Sequence, residues 1–167
     1  EAPQGRVIGA FDLAVAGRAA ARFDFEEPIR PEAAETVRQL KAMRLHVGVL
    51  TGDGSDTAPE VARSLGVEAV TGLTPEGKLE YVRRWEAEHG PCLVLGEGLN
   101  DAPVLAGASV SLAIGGALAR TRDAADFVLP DNDLSQVPRL VEEARGTLRR
   151  IRINLFWAFF YNSLAVP

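Results

Sequence analysis

The chain has 167 residues, 47% of them hydrophobic and 25% charged, which suffices for one globular domain with its own core. A net charge of −5 gives no basic footprint for nucleic acid, and the single cysteine, Cys92, excludes an intrachain disulfide. Residues 1–10 lack the charged-then-apolar pattern of a signal peptide, and Glu1 and Pro167 read as cut ends.

In chain order, residues 6–15 and 20–26 are β-rich runs that flank Ala16-Gly17-Arg18-Ala19, and they predict a hairpin. Glu27-Pro28-Ile29-Arg30-Pro31 reads as a rigid connector, because its two prolines fix φ and restrict the residues before them. Pro31 suits a first helical turn, and Ala33, Ala34, Val37, Leu40, Lys41 and Arg44 follow at helical spacing. Leu45-His46-Val47-Gly48-Val49-Leu50 predicts a central strand that ends in Thr51-Gly52-Asp53-Gly54-Ser55. A helix over about 57–65 closes at Gly66, and Val67-Glu68-Ala69-Val70 predicts a short strand. Thr74 and Pro75 fit the N-cap and first position of a helix over about 75–89.

Cys92-Leu93-Val94-Leu95 then reads as a buried strand, with Cys92 as a small buried hydrophobe. The strand stops at Gly96-Glu97-Gly98-Leu99-Asn100-Asp101, and an Ala-rich helical pattern begins at Ala102-Pro103. Val110-Ser111-Leu112-Ala113-Ile114 alternates toward Gly115-Gly116, and Phe127-Val128-Leu129 is a last short strand before Pro130. Strands alternating with helices through short loops predict a doubly wound parallel sheet.

From Leu134 the pattern is helical and nearly unbroken. Arg145, Arg149, Arg150 and Arg152 precede Leu155-Phe156-Trp157-Ala158-Phe159-Phe160-Tyr161, and no charge follows Arg152. The apolar stretch runs for about 13–15 residues, short of the roughly 20 that span a bilayer. A buried C-terminal helix and the first part of a membrane helix both fit. Arginines beside an apolar, aromatic-rich run favour the membrane helix.

Ligands of open α/β sheets bind at the carboxyl ends of the strands. Thr51-Gly52-Asp53 ends one predicted strand, Glu97, Asn100 and Asp101 follow another, and Lys78 lies in the helix between them. Taken singly, Thr-Gly-Asp is an ordinary capping turn and a helical lysine is an ordinary solvated residue. As an ordered set, a hydroxyl, a lysine and oxygen ligands suit a phosphoryl group with Mg²⁺.

Thr51-Gly52-Asp53, Pro75-Glu76-Gly77-Lys78, residues 96–103 and Asn154-Leu155-Phe156-Trp157-Ala158-Phe159-Phe160-Tyr161-Asn162 stand in the order found in heavy-metal P-type ATPases, and the chain resembles that family from about residue 6 onward. Ala102-Pro103-Val104-Leu105-Ala106 and Ser111-Leu112-Ala113-Ile114-Gly115 resemble its copper-type members. The resemblance implies a haloacid-dehalogenase-like, Rossmannoid parallel sheet with flanking helices and a long C-terminal helix entering the membrane. It implies three parts: residues 1–26 ending a nucleotide-binding domain, 27–150 in a phosphorylation domain, and 151–167 starting a transmembrane helix. It also implies ATP-driven export of a heavy-metal cation, Cu⁺ by subgroup, through an aspartyl-phosphate and with Mg²⁺. Thr51, with Gly52 and Asp53, and Lys78 would serve the phosphoryl group, Glu97 would bind Mg²⁺, and Asn100 and Asp101 would support that loop. Glu27 and Arg30 would belong to the hinge, and Tyr161 and Asn162 would help bind the transported Cu⁺. The implied partners are the nucleotide-binding, actuator and membrane domains of the same polypeptide and the lipid bilayer, with this domain on the cytoplasmic side of a multi-pass membrane protein.

The chain departs from the family at three points. The Asp-Lys-Thr-Gly-Thr string that carries the phosphorylated aspartate is not among these residues, so the chain alone is not expected to turn over ATP. Glu97 and Glu27 each stand where the family has Asp. The two Glu residues favour a second reading, a membrane-tethered, catalytically weakened regulatory or binding domain of the same fold, which the retained Thr51, Lys78 and Asp101 oppose. A third reading, a soluble phosphatase, lacks a nucleophile and conflicts with the apolar C-terminal run.

Overall fold

The computed structural model describes residues 7–26, 29–54, 57–97, 99–114, 123–129 and 131–165. Strands β1 (Val7–Val15) and β2 (Arg18–Glu26) form an antiparallel hairpin. Its turn is Ala16-Gly17, with φ of 50° and 77°. Two successive positive φ values match the twist of a two-residue hairpin.

Helix α1 (Ala33–Ala42) follows and leads to β3 (Gly48–Leu50). Next come α2 (Thr57–Ser64), β4 (Glu68–Val70), α3 (Pro75–His89) and β5 (Leu93–Gly96). A 3₁₀ turn over Leu99–Asp101 opens into α4 (Ala102–Gly107), followed by β6 (Val110–Ile114) and β7 (Phe127–Leu129). Helix α5 (Gln136–Ala165) has 30 residues, about 45 Å at the helical rise.

All pairings from β3 onward are parallel. β3 pairs with β4, and β5-β6-β7 form a second group with β6 in the middle. Helix α2 packs on β3 and β4, α4 packs on β5 and β6, α3 lies against α4, and α1 against α5. The core joins Leu112, Leu129 and Val137, with Leu40, Leu93 and Leu140 around them. Leu40 of α1, the helix leading into β3, therefore packs under the β5–β7 group.

Some elements differ from the sequence expectation. Leu45, His46 and Val47 connect α1 to β3 rather than extending the strand, and Arg44 lies beyond the helix with φ of 62°. The N–H groups of Arg44 and Leu45 turn back to the carbonyls of Lys41 and Leu40, so this stretch is spent on a helix C-cap. Cys92 precedes β5 and is half-buried rather than fully buried. Ser111, Leu112, Ala113 and Ile114 are all buried, because β6 is covered on both faces and its apparent alternation does not mark a solvent side. Buried Ser111 is satisfied by Asp126, whose Oδ2 accepts from Ser111 N at 2.8 Å and Oγ at 2.9 Å. Glu27, Gly98 and Gly115-Gly116 lie outside the described residues.

Among the described residues, helix α5 is anchored at its amino-terminal part. Val137 and Pro138 are buried, and Arg145 Nη1 donates to Met43 O at 3.1 Å at the end of α1. From Leu148 to Leu164 its large apolar side chains are exposed. Among the described residues, no helix is long and apolar enough to cross a membrane.

Candidate active site

Thr51 follows β3 directly. Its N–H donates to Val70 O at 3.0 Å and its carbonyl accepts from Leu73 N at 3.1 Å, so the ends of β3 and β4 are laced together. Its Oγ1 accepts from Asp53 N at 3.1 Å, closing a tight turn. Gly72 N donates to Asp53 O at 3.2 Å. A Cβ on Gly52 would stand 3.1 Å from Leu73 O, so this close approach of two backbones favours glycine.

Residues 72–74 lead into α3. Thr74 caps it, with Oγ1 accepting from Gly77 N at 3.0 Å, and Pro75 takes the first helical turn. This start sets Lys78 on the first turn of α3, and its Nζ reaches Asp101 Oδ1 at 2.7 Å. Asp101 stands at the N-cap position of α4 without capping it, because its carboxylate is turned to Lys78. Gly96 makes room for this arrangement: a Cβ there would stand 2.8 Å from Asp101 Cβ.

Glu97, just past β5, is exposed, and its Oε2 accepts from Arg30 Nη2 at 3.0 Å. Asn100 is exposed in the 3₁₀ turn. The structure thus joins Lys78 to Asp101 and Arg30 to Glu97, and ties Thr51 to the loop that starts α3. Tyr161 and Asn162 are exposed on α5, and Tyr161 lies roughly 38 Å along the helix axis from Gln136. They stand apart from the other candidates.

Sequence reading did not assign the partners of Arg30. Its Nη1 donates to Asn132 O at 3.1 Å, and Asn132 holds φ of 59°. Asn between two aspartates marks a tolerant turn, but nothing in its spacing points to a residue 102 positions earlier. Glu86 was also missed. Its Oε1 accepts from Cys92 N and Sγ, each at 3.2 Å, and from Ser109 N at 2.9 Å, fixing the amino ends of β5 and β6. Burial pushes the Cys92 thiol up to about 12, helped by the hydrogen bond and charge of Glu86.

Among the described residues, no group of three or more His, Cys, Asp or Glu is gathered to hold a metal ion. Mg²⁺ is commonly held by one or two carboxylates together with phosphate oxygens and water. An exposed glutamate at the sheet edge fits such a cation as one ligand of an incomplete set.

A parallel sheet with a hydroxyl, a carboxylate-held lysine and a further carboxylate after its strand ends defines an α/β domain whose candidate site lies at the carboxyl edge of the sheet. The chain belongs to the haloacid dehalogenase-like hydrolase family, whose pattern matches residues 3–109. Over 156 residues it is 37% identical to cation-transporting P-type ATPase B of Mycobacterium tuberculosis, covering 93% of this chain and 21% of that protein. Copper-transporting ATPase 1 of Rhizobium meliloti is likewise 37% identical over 155 residues, covering 92% of this chain and 19% of that protein. A zinc-transporting PIB-type ATPase in its E2.Pi state superposes with a TM-score of 0.76 at 28% identity, over 93% of this chain and 27% of that one. The chain therefore spans about a fifth of the length of these curated relatives.

Proposed function

We propose that this chain is the phosphoryl-handling part of an ATP-driven heavy-metal cation transporter, with Cu⁺ as cargo. The observation that carries this reading is the Lys78–Asp101 pair, on a helix whose lead-in is tied to Thr51, in a chain that aligns with copper-transporting ATPases. The Thr51 hydroxyl has a proton to donate while its oxygen accepts from Asp53 N, and the Lys78 ammonium supplies positive charge. Both would hold phosphoryl oxygens. Asp101 orients Lys78, and Gly52 and Asp53 shape the turn. Glu97 would ligate Mg²⁺, which when bound neutralises phosphate charge, and Asn100 would support that loop.

The reacting carboxylate would come from a segment outside this chain. Strand order supports this. Among the described strands, β3 pairs only with β4 and β5 only with β6. In the doubly wound order 3-2-1-4-5-6, β4, β3, β5, β6 and β7 take every position except the first strand. That strand's carboxyl end would fall at the switch point between Thr51 and Glu97. Residues 1–26 would close a nucleotide-binding domain, 27–150 form the phosphorylation domain with Glu27 and Arg30 at its hinge, and 151–167 begin a membrane helix. Tyr161 and Asn162 would face Cu⁺ within the bilayer, with ATP bound on the cytoplasmic side by other domains of the polypeptide.

The Arg30–Glu97 pair favours a second reading, a membrane-tethered domain whose phosphoryl chemistry is weakened. Glu carries its carboxylate about 1.5 Å further than Asp (one C–C bond), while Mg²⁺ wants near-octahedral oxygens at about 2.0–2.1 Å. Acid-stable ³²P incorporation from ATP in the full-length parent separates the two. The transporter reading expects incorporation that Glu97→Asp raises and Lys78→Ala removes. No incorporation in either the parent or the Glu97→Asp variant overturns it in favour of the weakened domain.

A further inference from the structure

Arg30 connects three segments. It leads into α1, its Nη2 donates to Glu97 Oε2 after β5, and its Nη1 donates to Asn132 O in the turn before α5. After β5, both candidate carboxylates therefore already have a cation: Lys78 for Asp101 and Arg30 for Glu97. The two pairs differ in kind. Lys78 and Asp101 expose 14% and 20% of their side chains, whereas Arg30 and Glu97 expose 32% and 56%. The first is a sheltered structural pair; the second is solvated and exchangeable.

We propose that Arg30 is a built-in competitor for the divalent cation at Glu97. The guanidinium holds Glu97 Oε2 and sets its positive charge beside the second oxygen, so a divalent cation at Glu97 binds against Arg30, and an Arg30 displaced from Oε2 still has Asn132 O as a partner. Arg30 is thereby a positioning residue that links occupancy after β5 to the turn ahead of α5. The length of Glu97 is part of the device. An Asp at this position would end about 1.5 Å shorter, leaving a carboxylate less able to reach Arg30 and more open to metal. This inference rests on Glu97 being the divalent-cation ligand of the proposed site.

The test is a Mn²⁺ titration of the whole 167-residue chain, read by water-proton relaxation enhancement, with circular dichroism confirming the fold of each variant. Arg30→Gln is expected to tighten Mn²⁺ binding about two- to fivefold, the range set by a solvated ion pair. Glu97→Gln is expected to remove that binding in both the parent and the Arg30→Gln background. Mn²⁺ binding that is indifferent to Glu97→Gln overturns the assignment of Glu97 as a ligand, and the competition with it. Binding that needs Glu97 but is unchanged or weakened by Arg30→Gln overturns the competition alone. Should Arg30→Gln not fold, Arg30→Lys decides. Its shorter reach is expected to tighten Mn²⁺ binding, and unchanged affinity overturns the proposal.

Discussion

Lys78 Nζ lies 2.7 Å from Asp101 Oδ1, joining the first turn of α3 to the start of α4 across 23 residues of sequence. With 14% and 20% of their side chains exposed, the two groups fall between a surface pair, worth about 0–1 kcal/mol, and a fully buried one, where removing a single partner costs about 3–5 kcal/mol. Lys78→Met and Asp101→Leu are each expected to cost about 2 kcal/mol. The double variant should cost less than their sum, with a coupling of about 1–2 kcal/mol from urea denaturation of all four chains. Strictly additive losses would show that the two side chains do not stabilise each other.

Glu86 and Cys92 give a prediction at the opposite end of the same strands. With the thiol at about 12 rather than near 8.5, the thiolate fraction at pH 8 falls to the order of 10⁻⁴. Iodoacetamide is expected to modify folded Cys92 at least about tenfold more slowly than the unfolded chain, since the greater nucleophilicity of a more basic thiolate offsets only part of its scarcity. Glu86→Gln removes the negative charge beside the sulfur and should raise the folded rate. Burial alone raises the Glu86 pKa, but the donors on Ser109 and Cys92 outweigh it and hold the carboxyl below its ordinary value. A depressed folded pKa means that Glu86 stabilises the fold above its unfolded value, near 4.3. That contribution is lost as pH falls through the folded value. The stability gap between the parent and Glu86→Gln is thus expected to be full at pH 7 and to close on acidification below about pH 4. A gap that widens on acidification would reverse the sign argued here.

Much of this was legible in the sequence because local rules and long-range packing agreed. Thr74-Pro75 fixes the start of α3 through a cap and a proline, and the helix runs to His89 as its pattern implies. Thr51, Lys78 and Asp101 stand in the sequence as an ordered set, and the structure brings Lys78 and Asp101 into contact. The limits of sequence reading lie where one stretch serves two purposes. Leu45-His46-Val47 has the apolar content of a strand, but the Leu45 N–H is drawn into ending α1. Val110–Ile114 alternates in letters yet Ser111, Leu112, Ala113 and Ile114 are all buried, because burial depends on distant elements such as β7, whose residues pair with β6 from 15 positions on, and α5. The Arg30–Glu97 pair has a separation of 67 residues, and no local periodicity encodes it.

The ends of α1 and α2 supply the last prediction, because they solve one problem with different residues. At α2, Gly66 takes φ of 65° while its N–H reaches Arg63 O at 3.0 Å and Val67 N reaches Ala62 O at 2.8 Å. At α1, Arg44 takes φ of 62° while its N–H reaches Lys41 O at 2.9 Å and Leu45 N reaches Leu40 O at 3.1 Å. Both are Schellman closures, in which the left-handed residue suits glycine. Arg44 is exposed, so little packing is lost with its side chain, and its conformation costs about 1–2 kcal/mol that glycine does not incur. Glycine's greater freedom in the unfolded chain offsets about 0.5–1 kcal/mol of this gain. Arg44→Gly is therefore expected to stabilise the fold by about 0.5–1 kcal/mol, seen as a higher urea midpoint at unchanged slope. Gly66→Ala should destabilise the fold by about 1 kcal/mol, lowering the midpoint. A Cβ at Gly66 would meet only Lys41 Nζ at an ordinary 3.5 Å, so that loss is conformational rather than steric. Arg44→Ala serves as the control: it removes the side chain but keeps the strain, and should leave stability close to the parent's. If Arg44→Gly and Arg44→Ala shift the midpoint equally, the gain belongs to the arginine side chain and not to the left-handed backbone.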